Sequence, residues 1–112
     1  MGGWTYILAS GPHGTLYVGV TNDLSRRAGE HLVGEGSVFC RKYGVDRLVH
    51  YEFFDDIEDA IHREKRLKKW NRAWKIALIE TENPGWLDLF REDLASTEIP
   101  PPAATPIRHR QT

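Results

Sequence analysis

Hydrophobic and polar positions along this chain follow two rhythms. Over residues 4–9 (WTYILA) and 16–20 (LYVGV) apolar, aromatic and β-branched residues follow one another almost without a break, as in short strands. Between them, Ser10-Gly11-Pro12-His13-Gly14-Thr15 has the glycines and proline of a hairpin loop. Thr21-Asn22-Asp23 then supplies the hydroxyl, amide and carboxylate that cap a helix. Beyond it Leu24, Ala28 and Leu32 recur every four residues as an apolar row. Arg27 and His31 form the neighbouring row, at the edge of the core rather than in open water. Tyr6, Tyr17, Arg27 and His31 can therefore share one face.

Glycines in Gly34-Glu35-Gly36-Ser37 end that helix, and a short segment from Val38 to Tyr43 follows, with Arg41 and Lys42 readable either as phosphate contacts or as solvated loop charges. Arg47–Phe54 (RLVHYEFF) is the third strand. Its row Val49, Tyr51, Phe53 is wholly apolar and should face the core, which assigns His50 and Glu52 to a more open face as structural polar residues. The acidic cluster Asp55-Asp56-Ile57-Glu58 starts a second helix, whose stripe contains Ile57, Ala60, Ile61 and Leu67. Glu64 falls in the middle of that stripe. A carboxylate there is costly to desolvate unless it is paired or bound to metal, and spacing alone leaves both open: an ion pair with a cation such as Arg27, or a metal ligand.

A break at Asn71 or Arg72 separates this helix from residues 74–80. Tryptophans at helical spacing are more often core than base-stacking groups, which puts Trp74 and Trp86 in the core and leaves Trp70 open between the two roles. Asn83-Pro84 ends the helical run, and residues 86–94 read as a short final helix. The organisation is thus one domain over residues 1–95, followed by a proline-rich tail over residues 96–112 expected to be disordered.

Composition narrows the partners. The chain has 112 residues, enough for one modest core. No apolar run approaches the roughly 20 residues of a membrane helix, and the N-terminus lacks the pattern of a signal peptide, so a cytoplasmic location without membrane contact is expected. The single cysteine, Cys40, excludes an internal disulfide and reads as a core or loop residue. A net charge of −1 argues against bulk attraction to nucleic acid, yet Arg63, Lys65, Arg66, Lys68, Lys69, Arg72 and Lys75 cluster on one segment as candidate nucleic-acid contacts.

These residues resemble the GIY-YIG nuclease superfamily. Its first motif appears as Trp4-Thr5-Tyr6, keeping only the tyrosine, and its second as Tyr17-Val18-Gly19, followed by Arg27 and His31. Segments such as KYGVDRLVHYE, REK, LKKW and NPGWLDL are similar to the small stand-alone bacterial proteins of that family, and the resemblance covers about residues 4–94. It implies an α/β fold in which a small three-stranded antiparallel sheet is flanked by helices in the order ββαβαα. It also implies an endonuclease hydrolysing phosphodiester bonds, most simply in DNA and in repair or processing of branched or damaged substrates. Tyr6, Tyr17, Arg27, His31 and Glu64 would be catalytic, Gly19 structural, and Glu64 the ligand of one divalent ion, Mg²⁺ or Mn²⁺. Asn83 matches a polar residue near the metal in some members. A tyrosine acting as base would need its pKa depressed by nearby cations such as Arg27 or the metal. Trp4 and Thr5 replace the family's Gly-Ile, and no separate DNA-binding region accompanies the domain, so specificity would come from substrate structure or a protein partner. The alternative is a catalytically silent nucleic-acid-binding module that uses the basic helix 62–75.

Overall fold

The structure, a computed structural model, describes residues 1–32 and 38–90. The glycine-rich helix end at residues 34–37, the last part of the expected helix over residues 86–94, and the tail over residues 96–112 lie outside the described residues. Strands β1 (Gly3–Ala9) and β2 (Leu16–Thr21) form the expected hairpin and lead into α1 (Leu24–Leu32). A short helix α2 (Val38–Tyr43) precedes β3 (Arg47–Phe54), and α3 (Ile57–Lys69) and α4 (Arg72–Glu82) complete the order. The sheet is antiparallel with β1 in the centre, in the order β2-β1-β3. None of the helices among the described residues is long and apolar enough to cross a membrane.

Local chemistry accounts for most boundaries. The Ser10 and Gly14 N–H groups donate to Thr15 O and Gly11 O at 3.0 and 2.9 Å and close the hairpin loop. Asp23 caps α1, its Oδ1 accepting from the Arg26 N–H at 3.1 Å. Asp56 and Asn71 cap α3 and α4, accepting from the Glu58 and Trp74 N–H groups at 3.0 and 2.8 Å. Gly44, at φ +66°, ends α2, and the Val45 N–H donates to Cys40 O at 2.8 Å, a Schellman closure that buries Val45 and Cys40 together.

Every residue of β1 is buried, because helices cover both faces of the sheet. On one face Trp4, Tyr6, Leu8, Tyr51 and Phe53 pack with Leu24 of α1 and Cys40 of α2. On the other, Ile7, Ala9, Val18 and Val49 pack with Leu67, Ile79 and Trp86, and the Thr5 hydroxyl donates to Ala60 O at 2.7 Å.

This two-sided cover corrects the assignment of His50 and Glu52 to an open face. Both are buried beneath α3, beside Ile7 and Thr5 of the central strand. Glu52 Oε2 lies 2.8 Å from His50 Nε2, and Arg63 grips the carboxylate with Nε to Oε1 at 2.9 Å and Nη2 to Oε2 at 3.0 Å. Burial pushes the Glu52 carboxyl up, but the hydrogen bonds from His50 and Arg63 more than offset it and hold the group at about 2. Trp74 is corrected as well: it is 58% exposed, whereas Trp86 is core as expected. Trp70 packs edge-on to Trp74 and lies beneath the Arg63 guanidinium, 5.2 Å from its ring centre. Residues 86–88 are not helical, and Trp86 takes φ 55° as the chain turns past α4.

Candidate active site

Strand pleat, register and one helix bring three of the expected residues together. Tyr6 and Gly19 are register partners on adjacent strands, and Tyr17, two residues before Gly19, faces the same way. The Tyr6 and Tyr17 rings lie 6.5 Å apart between centres. A Cβ on Gly19 would stand 2.5 Å from Tyr6 Cζ, so Tyr6 can lie flat across β2 only if its neighbour has no side chain. This is the structural role expected of Gly19.

Helix α1 covers this face through Leu24 and Ala28 and brings Arg27 to the rim, where its charge acts on the Tyr6 hydroxyl. His31 stands one turn further along the same helix. Arg27 Nε is buried and has no hydrogen-bond partner among the described residues; its nearest acid is Glu30, whose Oε1 is 3.8 Å away. Glu30 is held instead by Arg26, Nη1 to Oε2 at 3.0 Å. The side chain as a whole is 37% exposed, which leaves the guanidinium open to an incoming anion.

Tyr6 behaves differently from a base activated by cations. Burial pushes its hydroxyl well above the ordinary value of 10, Tyr17 pushes the same way, and the opposing effect of Arg27 is smaller. Tyr6 therefore keeps its proton at neutral pH.

Glu64 belongs to α3, the helix that packs on the opposite face of the sheet. It is only 12% exposed, and its Oε2 is 2.6 Å from Lys68 Nζ. Neither of the two readings open in the sequence included this partner, although a glutamate four residues before a lysine is the favourable helical arrangement. The bond to Glu64 raises the Lys68 pKa, opposed by slight desolvation, and the hydroxyl of Tyr17 raises it further. Glu64 therefore does not share the tyrosine face with Tyr6 and Tyr17, and Lys68, which it holds, lies near enough to the edge strand β2 to feel the Tyr17 hydroxyl.

Several expected contacts are engaged elsewhere. Arg63 is tied to Glu52, and Arg72 Nη2 donates to the carbonyls of His13 and Gly14, at 2.7 Å for the second, fastening the hairpin loop to α4. Asn83 is buried in a structural role: its amide donates to Val49 O and Leu87 O and accepts from the Leu87 N–H, all within 3.1 Å, bracing the turn after α4 against β3. Lys65, Arg66 and Lys69 do form an exposed basic hollow with His62.

A carboxylate is the ligand type that a hard divalent cation takes, and Glu64 is the candidate on α3. No three His, Cys, Asp or Glu residues cluster among the described residues, so one carboxylate would have to suffice. Mg²⁺ is commonly held in that way, keeping several waters and completing its shell with substrate phosphate. Glu64 Oε1 makes no hydrogen bond among the described residues and could serve.

Comparison with known proteins agrees with this geometry. Residues 2–77 match the model of the GIY-YIG catalytic domain. A UPF0213 protein of Halobacterium salinarum is 43% identical over 65 residues, 58% of this chain and 84% of that one. A UPF0213 protein of Natronomonas pharaonis is 38% identical over 79 residues, covering 70% and 92% of the two chains. The solution NMR structure of a UPF0213 protein from Bacillus halodurans superposes with a TM-score of 0.51 at 28% identity, over 85% of this chain and all of that one. The three-stranded antiparallel sheet with its helices, the Tyr6–Gly19 register and these matches establish that the chain belongs to the GIY-YIG family of nuclease-type domains, among its small UPF0213 members.

Proposed function

We propose that this protein is a metal-dependent endonuclease acting on DNA, with the hydrolytic site at the β2 edge between α1 and Lys68. The observation that carries this reading is Arg27, whose guanidinium acts on the Tyr6 hydroxyl, has no hydrogen bond at Nε among the described residues, and stays 37% exposed at the rim, open to a phosphate oxygen. Arg27 would bind a non-bridging oxygen of the scissile phosphate and stabilise the charge that grows there as water attacks phosphorus. The general base, either Tyr17 after passing its own hydroxyl proton to solvent or the neutral imidazole of His31, would take the proton of that water, and the phosphoester oxygen would leave with a proton from solvent as the P–O bond breaks. Tyr6, buried with its proton retained, acts as a positioning residue that fixes the Tyr17 ring. Glu64 would hold one Mg²⁺ or Mn²⁺, which when bound supplies Lewis-acid charge to the phosphate oxygens. Lys68, half exposed beside Glu64, would add its charge to the phosphate field.

Lys65, Arg66 and Lys69 extend the basic surface along α3 and would contact flanking phosphates, while the protein as a whole is slightly acidic. With no second DNA-binding region in the described fold, selection of branched or damaged DNA would rest on substrate shape or a protein partner, and the work would be done in the cytoplasm. The test is incubation with plasmid, single-stranded and branched DNA in Mg²⁺ or Mn²⁺, beside a Tyr17→Phe variant. Cleavage that the variant loses supports the proposal. Binding without cleavage under either metal would favour a silent nucleic-acid-binding module instead.

A further inference from the structure

Four aromatic rings run outward from the site. Tyr17 is 6.5 Å from Tyr6 on one side and 6.1 Å from Phe39 on the other, and Phe39 is 4.8 Å from Tyr43. The inner end is buried, whereas Phe39 and Tyr43, on α2, are 42% and 49% exposed. Core packing accounts for Tyr6 but not for two large rings left in solvent on a six-residue helix whose buried residue is Cys40. Charge flanks them. Arg41 and Lys42 on the same helix are exposed, and Lys42 Nζ lies 5.4 Å from the centre of the Tyr43 ring.

Exposed rings with adjacent cations match the two halves of a nucleotide, a base with a π-face and a phosphate. The ring contacts are continuous with Tyr17, so a base on Phe39 would lie next to the tyrosine face of the site. We propose that Phe39 and Tyr43 form a stacking platform for an unpaired nucleobase next to the scissile phosphate, so that the protein engages single-stranded or frayed nucleic acid in preference to intact duplex. This rests on the nuclease reading for the position of the phosphate, but the platform itself can be tested without cleavage.

The experiment measures binding by fluorescence anisotropy in EDTA. The probes are a short labelled oligothymidylate, an abasic oligonucleotide of the same length, and the corresponding duplex, and the proteins are the full chain and its Phe39→Leu/Tyr43→Leu variant. Both rings are substantially exposed, and circular dichroism verifies the variant's fold. Loss of one or two stacks should weaken oligothymidylate binding roughly 5- to 150-fold per base, leave duplex binding unchanged, and remove the wild-type preference for oligothymidylate over the abasic strand. A Phe39→Trp/Tyr43→Leu variant should recover part of the affinity. Equal binding of oligothymidylate by wild type and variant would overturn the platform, as would equal wild-type binding of abasic and base-bearing strands. A concentration-dependent dimer abolished by the leucine pair would overturn it too, by making these rings a contact between copies. If the platform fails while metal-dependent cleavage persists, the nuclease reading survives; if oligothymidylate binds as predicted but nothing is cut, the platform stands alone.

Discussion

Replacing Arg63 by methionine should separate structural cations from nucleic-acid contacts on α3. Arg63 holds both oxygens of Glu52, whose side chain is only 8% exposed, so the substitution keeps an apolar stem but strands most of a buried carboxylate. Removing one partner of a buried pair commonly costs about 3–5 kcal/mol. The titration gives a similar figure: a carboxyl held at about 2 instead of 4.5 is linked to about 3 kcal/mol of stability at neutral pH. Since the folded value is the lower one, this stability is present above pH 4.5 and is lost as pH falls toward 2. His50 remains as a partner, so the lower end applies, about 3 kcal/mol, or a fall in Tm of about 12 °C for a chain of this length. Thermal melts followed by circular dichroism at pH 7 and between pH 2 and 6 measure both effects. The variant should melt early at pH 7, and its gap in Tm from wild type should narrow as pH falls from 4.5 toward 2, because Glu52 with one partner fewer sits nearer its unfolded value and has less stability to lose. A Tm within about 2 °C of wild type at pH 7, or a gap that stays the same as pH falls, would refute the reasoning.

Two further predictions concern the same helix. Charge reversal at Lys65 and Lys69 should lower the dependence of log K on log salt for duplex DNA by about 2, at about 0.9 for each phosphate no longer neutralised, while Arg63→Met leaves that slope unchanged; salt titrations of binding check both. Glu64→Gln should abolish metal-dependent cleavage while changing stability by less than about 1 kcal/mol, because the Lys68 it releases is half exposed and stays hydrated; melting curves beside a cleavage assay decide this.

Local signals fixed much of this fold in advance. The hairpin loop, the Asp23 cap and the alternation in β3 placed three strands and the first helix close to where they stand, and Arg47–Phe54 matches in full. The misplacement of His50 and Glu52 came from reading β3 alone. Its alternation suggests one open face, whereas the unbroken apolar run of β1 signals a strand covered on both sides, so polar residues paired with it had to be buried. Trp74 shows another boundary of sequence reasoning: helical spacing puts it on a face, but which face meets the sheet depends on how α4 turns after Asn71. At the site, the short-range geometry of Tyr6, Gly19 and Arg27 was readable from strand pairing and the helix row. The Lys68 bridge to Glu64 was readable from its four-residue spacing, yet the place of α3 on the face opposite the tyrosines depends on how the helix packs on the whole sheet. Asn83 and Arg72 were matched by residue type, and only the packing reveals that backbone carbonyls already occupy them.

The central claim is that Arg27 keeps its donors for a scissile phosphate. The most direct measurement is the rate of Mn²⁺-dependent nicking of supercoiled plasmid by wild type and by Arg27→Gln, with melting curves verifying that both are folded. Removing one preorganised donor from a developing oxyanion costs about 10²- to 10³-fold, so the account predicts nicking by wild type and a loss of at least that order in the variant. Equal nicking rates for the two folded proteins, or no nicking by wild type with either Mn²⁺ or Mg²⁺, would contradict it.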